Sequence, residues 1–337
     1  MSIENNPDIR RPLFLTDQDV AALANFEDAI AAIRAAYSAA EDEQRTPGRI
    51  FADSQREWMR IMPSIPTSGK LFGAKSIVGS FADGLQVSYM INLFDKDTAE
   101  LVALIDGNRV TGLRTASTTA VGASTILPNK PVTVGVIGSG FEARSHLQAL
   151  GNVAEFSSIR VFSPTPANRE AFAADFCAAD GSQAVPVSSA DEAVEGADLV
   201  LCAARSRDET PIIRAETVAR DATVISIGST TRAQREVPVE LIDRASTIVV
   251  DTYDEVVHDS GDMLAAQAEG IHLNGKVISL NTALHSESSI DTSNGIRIYK
   301  STGSGLQDIV VAEMLYNRAR ALGMGTELPV TIVTNAK

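Results

Sequence analysis

A glycine-containing turn between an apolar strand and a helix is the chain's most informative chemical feature. Residues 132–143 read VTVGVIGSGFEA. In this pattern Gly138 permits a tight turn, Gly140 lets a pyrophosphate approach the backbone, and Ala143 lets the helix pack closely on its strand. Glycines also occur in many strand-to-helix turns that bind nothing, but the flanking strand and helix favour a ligand. The predicted dinucleotide-binding residues are Gly138, Ser139, Gly140, Phe141, Glu142 and Ala143.

The segment after the next strand bears on the choice of nucleotide. NAD-preferring sites of this kind usually carry an acid there, which binds the ribose 2'-hydroxyl. Residues 162–169 read FSPTPANR and contain no acid. Ser163, Thr165 and Arg169 could receive a 2'-phosphate, although small hydroxyls also tolerate NAD and Arg169 could be a solvated helix residue. The sequence therefore predicts NAD or NADP and leans to NADP.

Four cations in the first third of the chain lie in segments that otherwise read as buried. They are Arg49, Arg60, Lys75 and Arg114. A cation in an apolar setting is costly without an anion, which could be an internal carboxylate or a bound one. Structural ion pairs or solvent-reaching side chains are the alternative for each. If several converge, they form a site for the carboxylate of an amino or keto acid.

The second half of the chain alternates short apolar strands with helices. The expected strands are Ile159–Phe162, Ala197–Cys202, Thr223–Ile227 and Thr247–Val250, with helices between them such as Ala167–Phe176 and Ser189–Val194. Alternation of this kind builds parallel strand–helix–strand units. We therefore predict a Rossmann dinucleotide-binding domain over residues 128–303.

The first part is organised differently and predicts an α+β domain with a mainly antiparallel sheet. An amphipathic helix begins near Asn25, and four strand-like runs follow at Trp58–Met62, Phe72–Val78, Val87–Phe94 and Leu101–Ile105. A long helix, Arg109–Ile126, leads to a boundary at Pro128. The helix Gly305–Leu322, stopped by Gly323, is expected to return to this domain. The predicted domain is thus 1–127 with 304–337, and the fold class is α/β overall.

Composition limits the class of protein. The 337 residues are 44% hydrophobic, and 29 basic against 43 acidic residues leave a formal charge of -14. Such a chain has no general attraction for nucleic acid or anionic membranes. Two cysteines without a C-x-x-C, a polar stretch over 1–11 and no membrane-length apolar segment predict a cytoplasmic protein. The four histidines share no metal-ligand spacing, so no metal is predicted.

Several motifs together resemble the ornithine cyclodeaminase and mu-crystallin superfamily over nearly the whole chain. They are Thr46-Pro47-Gly48-Arg49, Met62-Pro63, Gly73-Ala74-Lys75, Asp106-Gly107-Asn108, Thr111-Gly112-Leu113-Arg114-Thr115-Ala116, the Gly138 turn, and Tyr299-Lys300-Ser301-Thr302-Gly303 leading to Leu306-Gln307-Asp308. The resemblance implies that Arg49, Lys75 and Arg114 clamp a substrate carboxylate, with Lys75 and Arg114 as catalytic residues. It adds Ser301 to the cofactor-binding set and implies a homodimer formed by the N-terminal sheets.

The resemblance also brings Asp308 to the active-site cleft, where it orients substrate or cofactor. The alternative is an acid placed at a helix N-terminus by the helix dipole. A departure from the family concerns the loop after the fifth Rossmann strand, where cyclodeaminases carry a catalytic aspartate. Alignment on Gly228 places Thr230 at that position. A hydroxyl without an adjacent base cannot act as a general base near neutral pH. Cyclodeamination is therefore disfavoured, and Thr230 is predicted to bind substrate.

The resulting prediction is an NAD(P)H-dependent reductase of a small α-imino acid. Alternation in the strand around Arg60 places Trp58, Arg60 and Met62 on one face. If that face lines the pocket, a fourth cation suits a dicarboxylic imine such as iminosuccinate, whose reduction gives aspartate; an ion pair with Asp53 is the alternative. Other functions left open are alanine dehydrogenase, cyclic ketimine reductase, ornithine cyclodeaminase and a non-catalytic, crystallin-like dinucleotide-binding protein.

Overall fold

The computed structural model describes residues 11–177, 181–286 and 290–335. Its contacts divide the chain into two units, Met1–Arg114 with Ser304–Lys337, and Thr115–Gly303. Most of the polar N-terminal stretch considered above lies outside the described residues. Among the residues that are described, no helix is long and apolar enough to cross a membrane.

The first unit is built on a seven-stranded sheet. Its strands are β1 (Leu13–Leu15), β2 (Ile50–Asp53), β3 (Glu57–Ser64), β4 (Leu71–Ser80), β5 (Gln86–Asp95), β6 (Leu101–Asp106) and β15 (Thr326–Glu327). The order across the sheet is β15-β1-β6-β5-β4-β3-β2. Every pair is antiparallel except β1 with β6. The mainly antiparallel sheet predicted for this part is therefore confirmed, although β1, β2 and β15 were not predicted.

The helices of the first unit cover one face of that sheet. They are α1 (Asp17–Leu23), α2 (Phe26–Ser38), the first part of α3 (Gly107–Ser124) and α11 (Gly305–Leu322). The Asn25 side chain caps α2 by accepting from the amide of Asp28. Gly323 ends α11 with a φ of 65°, a left-handed conformation that favours glycine. Helix α11 packs on α2 and on strands β3, β4 and β5, so the C-terminal segment completes the core of the first unit.

The second unit contains eight parallel strands. They are β7 (Val132–Ile137), β8 (Phe156–Phe162), β9 (Ala184–Pro186), β10 (Leu199–Cys202), β11 (Thr223–Ser226), β12 (Ala245–Val250), β13 (Val277–Ser279) and β14 (Ile296–Lys300). Their order is β13-β12-β14-β11-β10-β7-β8-β9. The order reverses at β7, and the carboxyl end of the strand at such a switch point is where doubly wound sheets bind ligands. The predicted Rossmann fold is confirmed.

Helices connect these strands and bury their apolar faces. They are the end of α3, α4 (Phe141–Leu150), α5 (Pro166–Asp175), α6 (Ala190–Val194), α7 (Val239–Arg244), α8 (Tyr253–Asp259), α9 (Gly261–Ala268) and α10 (Leu280–His285). One contact determines how closely α3 approaches the sheet. A Cβ at Gly122 would meet the Tyr299 ring at 2.1 Å, so only glycine allows α3 to pack directly on β14.

Candidate active site

Lys75 lies on β4, on the face of the first sheet that the helices cover. Its side chain is fully buried, and its Nζ donates to Asp308 Oδ1 at 2.7 Å and to Thr111 Oγ1 at 3.4 Å. Burial lowers the pKa of Lys75 to about 7; the Arg114 charge acts in the same direction, whereas Asp308 raises the pKa. The ammonium is thus held at a pKa where small changes in its charged neighbours alter its protonation.

Arg114 joins Lys75 on the same carboxylate. Its Nε lies 3.0 Å from Asp308 Oδ1, and its Nη1 donates to Gln307 Oε1 at 2.7 Å. The Gln307 amide in turn donates to the Tyr37 hydroxyl at 2.9 Å. The first turn of α11 therefore supplies the partners that orient Arg114. The resemblance pointed to Asp308, whereas Gln307, although part of the same motif, was assigned no role.

The start of α11 is positioned by a close backbone contact. A Cβ at Gly305 would meet the carbonyl oxygen of Pro63 at 2.6 Å and that of Met62 at 2.8 Å. Because only glycine tolerates that approach, α11 begins directly against the end of β3. In the register of β3 with β4, Met62 lies opposite Lys75. This packing brings Asp308 over Lys75.

Arg60 shares the covered face of the sheet with Lys75. It lies opposite Phe51 on one side and Ile77 on the other, and its guanidinium stacks 4.5 Å from the Phe51 ring centroid. Its charge contributes to lowering the pKa of Lys75. The alternative partner Asp53 is exposed and lies opposite Trp58.

The remaining cation of the predicted clamp, Arg49, comes just before β2 and is half-buried. Arg60, Lys75 and Arg114 place three positive charges in this region, and Asp308 supplies one negative charge directly between two of them. Asp308 Oδ2 is also buried and has no hydrogen-bond partner among the described residues. The cluster thus combines cations with a buried acceptor, Asp308 Oδ2, and this combination suits a ligand carrying both a carboxylate and an N–H group.

The glycine turn of the second unit fits a dinucleotide. Gly138 has a φ of +115°, and a Cβ there would meet the Ala203 carbonyl oxygen at 2.8 Å. Gly140 is the N-cap of α4, makes no side-chain cap, and its Cβ position faces open space. Phe141 is 59% exposed and Ala143 is buried. The first amides of α4 are thus left uncovered by side chains, as a pyrophosphate requires.

The end of β8 holds the three residues considered for the ribose. Ser163 is buried, and its hydroxyl donates to the Thr165 carbonyl at 3.3 Å. Arg169 is half-buried, donates from Nη1 to the Ser163 carbonyl at 2.9 Å and lies 6.0 Å from the Phe162 ring centroid. A guanidinium held this way lies beside the strand end where a 2'-phosphate would bind. The role of Arg169 in binding that phosphate stays a prediction.

We expect NADPH to be accepted at least as well as NADH. Ser163→Asp should shift the ratio of kcat/KM values toward NADH by about tenfold or more, because the new carboxylate repels a 2'-phosphate. Ser163→Asn, similar in size but uncharged, is the matched control and should shift the ratio less. Steady-state kinetics with both nucleotides measure the effect. Strong NADH preference in the unaltered protein would contradict this role of the loop.

Comparison with known proteins supports one family. Residues 10–323 match the model of the ornithine cyclodeaminase/mu-crystallin family. The chain belongs to this family. It is 30% identical to the ketimine reductase mu-crystallin of Mus musculus over 225 residues, which cover 67% of each protein.

Solved structures show the same fold. The Thermococcus litoralis Delta(1)-pyrroline-2-carboxylate reductase, in complex with NADH and L-proline, gives a TM-score of 0.83 at 24% identity and covers 94% of this chain and 100% of that one. The iminosuccinate reductase of Paracoccus denitrificans, in complex with NAD+, gives 0.83 at 22% identity, covering 95% and 99%. At these identities the likeness establishes the fold alone.

The loop that distinguishes cyclodeaminases within the family follows β11. Thr230 lies at the position that the resemblance assigns to their aspartate. Its backbone N–H donates to Gln234 Oε1 at 2.9 Å, and its hydroxyl donates to the same oxygen at 3.5 Å. Gln234 thus shapes this loop. No carboxylate is supplied by residue 230 itself, and its role toward substrate stays a prediction.

The family motif around Ser301 is held internally. The Ser301 hydroxyl donates to Asp251 Oδ2 at 2.7 Å, and the backbone amides of Thr302 and Gly303 donate to the same carboxylate at 3.0 and 2.8 Å. Asp251, at the end of β12, was not identified from the sequence because nothing local marks it as a partner of a segment fifty positions away. Its carboxylate fixes the backbone at 301–303, and cofactor contact by Ser301 stays a prediction.

Proposed function

We propose that this chain is an NAD(P)H-dependent reductase that converts a small α-imino acid to the amino acid. The main support for the proposal is that the buried Lys75 and Arg114 both form ion pairs with the same oxygen of Asp308. Arg60 adds a positive charge nearby. The prediction of an oxidoreductase is supported by the family match and by the ketimine reductase mu-crystallin of Mus musculus. The geometry of the glycine turn at Gly138 and Gly140 supports a nicotinamide dinucleotide as the cofactor.

Imine reduction requires the protein mainly to bind the substrate and to place charged groups around it. Reduced nicotinamide, when bound, supplies a hydride to the imine carbon. Lys75 and Arg114 would hold the substrate carboxylate, and Asp308 Oδ2 offers an acceptor for an N–H group. The proton can arrive on the substrate as an iminium ion, so no general base is needed in the loop at Thr230. The same residue disfavours cyclodeamination, which depends on an aspartate there.

We further propose a dicarboxylic substrate such as iminosuccinate, with aspartate as product. A monocarboxylate needs no more than Lys75 and Arg114, so a further cation suits a second carboxylate. Arg60 stacks on Phe51 on the same face of the sheet as Lys75. The alternative substrates are pyruvate with ammonia, as for an alanine dehydrogenase, and cyclic ketimines.

A panel assay tests the proposed reaction. Oxidation of NADH and NADPH is followed with keto acids plus ammonia and with a cyclic ketimine, and ornithine is offered with catalytic NAD. Turnover of an imine is the expected result. Release of proline and ammonia from ornithine would identify a cyclodeaminase. Tight NADPH binding without any turnover would favour the crystallin-like alternative.

We also propose a cytoplasmic homodimer formed through the open face of the first sheet. That face exposes Ile50, Met59, Val78 and Met90, which share one side by the strand register. A cavity of about 560 Å³ borders it, lined by Trp58, Met59 and Val78 among others. Exposed apolar side chains gathered on one sheet face indicate a protein interface, and the association of two copies of that face fits a two-fold partner. The two cysteines form no C-x-x-C motif, as expected in a reducing compartment.

A charge placed on this face should separate the dimer. Met59→Glu with Met90→Glu would bury two carboxylates per subunit against apolar surface, so we expect a monomer in light scattering after size exclusion. The matched control is Val185→Glu, an exposed apolar residue of β9 in the second unit, which should leave the mass unchanged. A dimer that survives the double substitution would place the interface elsewhere.

A further inference from the structure

A second buried charged cluster lies within the second unit, at the carboxyl edge of its sheet. Its members are Ser226 at the end of β11, Ser229 in the following loop, Glu236, Asp262 at the start of α9, and Lys300 at the end of β14. All five are at most 2% exposed. None of them was a candidate site residue from the sequence.

Lys300 and Asp262 form a fully hydrogen-bonded ion pair. Lys300 Nζ lies 3.1 Å from Asp262 Oδ2, and it donates to Ser226 Oγ at 2.9 Å and to the Ser229 carbonyl at 2.6 Å. Asp262 Oδ1 accepts from the backbone amides of Glu236 and Val237 at 2.7 and 3.0 Å, while Oδ2 also accepts from the Ser229 hydroxyl. One positive and one negative charge therefore balance each other, with their polar atoms satisfied.

Glu236 is the third ionisable group of the cluster and the one without a counter-charge. Its Oε2 accepts from Ser226 Oγ at 2.7 Å and from the Gly228 amide at 2.9 Å, whereas its buried Oε1 has no hydrogen-bond partner among the described residues. An ionised Glu236 would leave a net negative charge in a buried site, which is costly. A neutral acid would leave the cluster neutral.

The other groups that face Glu236 do not supply that charge. Cys202 on β10 is buried, and its thiol pKa is raised well above the usual value by burial and by Glu236 and Asp262. Arg205, whose side chain passes near Gly228, directs its guanidinium to Glu209 at 2.8 Å. Burial raises the pKa of Glu236 to about 7, against a lowering effect of Lys300 and a raising effect of Asp262.

Glu236 also lies directly beneath the backbone of the loop after β11. A Cβ at Gly228 would meet Glu236 Oε1 at 2.5 Å. The acid therefore holds Gly228 by a hydrogen bond and packs against it at the same time. This loop leaves the carboxyl edge of the parallel sheet, the edge along which a dinucleotide binds.

We propose that Glu236 is a positioning residue, whose neutral form holds the Gly228–Thr230 backbone in the conformation that binds the dinucleotide. Ionisation places an unbalanced charge under the loop and loosens it. The direction in which stability changes with pH follows from the pKa of Glu236, which folding raises from 4.5 to about 7. The folded state retains a proton that the unfolded state has lost between these values, so stability falls as pH rises through this window and stays reduced above it.

Two experiments test this inference: a binding arm, which measures dinucleotide affinity, and a loop arm, which measures the stability of the loop. The binding arm rests on the proposed function, whereas the loop arm does not. For the binding arm, the Kd of NADH is measured by fluorescence from pH 6 to 9, since NADH has no phosphate that titrates there. We expect the Kd to rise above about pH 7, approaching tenfold per pH unit if only the neutral form binds. Glu236→Gln, which retains the amide and hydroxyl contacts without a titrating proton, should flatten this profile. Glu240→Gln, an exposed acid on α7, should leave it unchanged.

For the loop arm, hydrogen exchange by mass spectrometry follows peptides spanning 226–237 in the protein without nucleotide. After correction for intrinsic exchange, we expect their protection to fall above about pH 7 in the unaltered chain and not in Glu236→Gln. Constant protection in the unaltered chain, or the same fall in both proteins, would overturn the proposal. If Glu236→Gln does not fold, the unaltered chain decides alone: falling protection supports the proposal and constant protection overturns it. Failure of imine reduction would leave this result untouched, so the two hypotheses can fail separately.

Discussion

Replacing Arg114 by Ala should lower kcat/KM by a factor of about 10² or more while leaving the Kd for the dinucleotide unchanged. The expected loss is that of a desolvated, charge-assisted hydrogen bond to the substrate carboxylate. Arg114 belongs to the first unit and the glycine turn to the second, so nucleotide binding should persist. Steady-state kinetics with the imine substrate and a fluorescence titration with NADPH measure the two effects separately.

The pH profile tests whether Lys75 acts as the ammonium beside Arg114. Lys75 binds a carboxylate as the ammonium, so kcat/KM should fall as pH rises above about 7, where Lys75 loses its proton. Because the Arg114 charge lowers the pKa of Lys75, Arg114→Ala should move this limb to higher pH. Arg109→Ala is the matched control, since Arg109 lies on the same helix in an exposed ion pair with Asp17. Normal turnover by Arg114→Ala would show that the clamp is misassigned.

Oxaloacetate with ammonia should be a better substrate pair than pyruvate with ammonia, by about 10²-fold in kcat/KM. The gain corresponds to pairing the second carboxylate with Arg60, whose guanidinium is stacked on Phe51 and partly desolvated. Charge-assisted hydrogen bonds of this kind contribute about 1.5 to 3 kcal/mol each. Competition between the two keto acids under equal ammonia gives the ratio directly.

Substitution of Arg60 isolates the source of that selectivity. Arg60→Ala should reduce the ratio toward one by slowing the dicarboxylate reaction, with little effect on pyruvate. Arg56→Ala, an exposed arginine between β2 and β3, is the control and should retain the ratio. Equal rates with both keto acids in the unaltered enzyme, or unaltered selectivity in Arg60→Ala, would remove the dicarboxylate proposal and leave a monocarboxylate or cyclic substrate.

Local sequence was sufficient for the features that depend on local geometry. The glycine turn, the helix Gly305–Leu322 and the strands predicted in each sheet follow from spacing and turn residues within short windows, and the structure confirms them. The long helix expected at Arg109–Ile126 occurs at Gly107–Ser124, two residues earlier. Its first turn follows β6 directly, and helix ends depend on hydrogen bonds that composition does not specify.

The shortest strands and the placement of β14 required the tertiary structure. Strands β1, β9, β13 and β15 have two or three residues each, which is too few for a periodic pattern. Strand β14 lies between β11 and β12 although it follows both in the chain. Such an order arises from long-range pairing, because a strand's own residues do not encode its neighbours.

For the charged sites, too, the sequence predicted one part and the tertiary structure decided the rest. Sequence alone predicted that Lys75 and Arg114 need an anion, because a buried cation without one is too costly to retain. Only the tertiary structure decided that Asp308 supplies it, from a residue 233 positions away from Lys75. The cluster of Glu236, Asp262 and Lys300 was likewise assembled by packing of separate segments, since charge balance in a protein interior depends on which side chains meet in space rather than on their order in the chain.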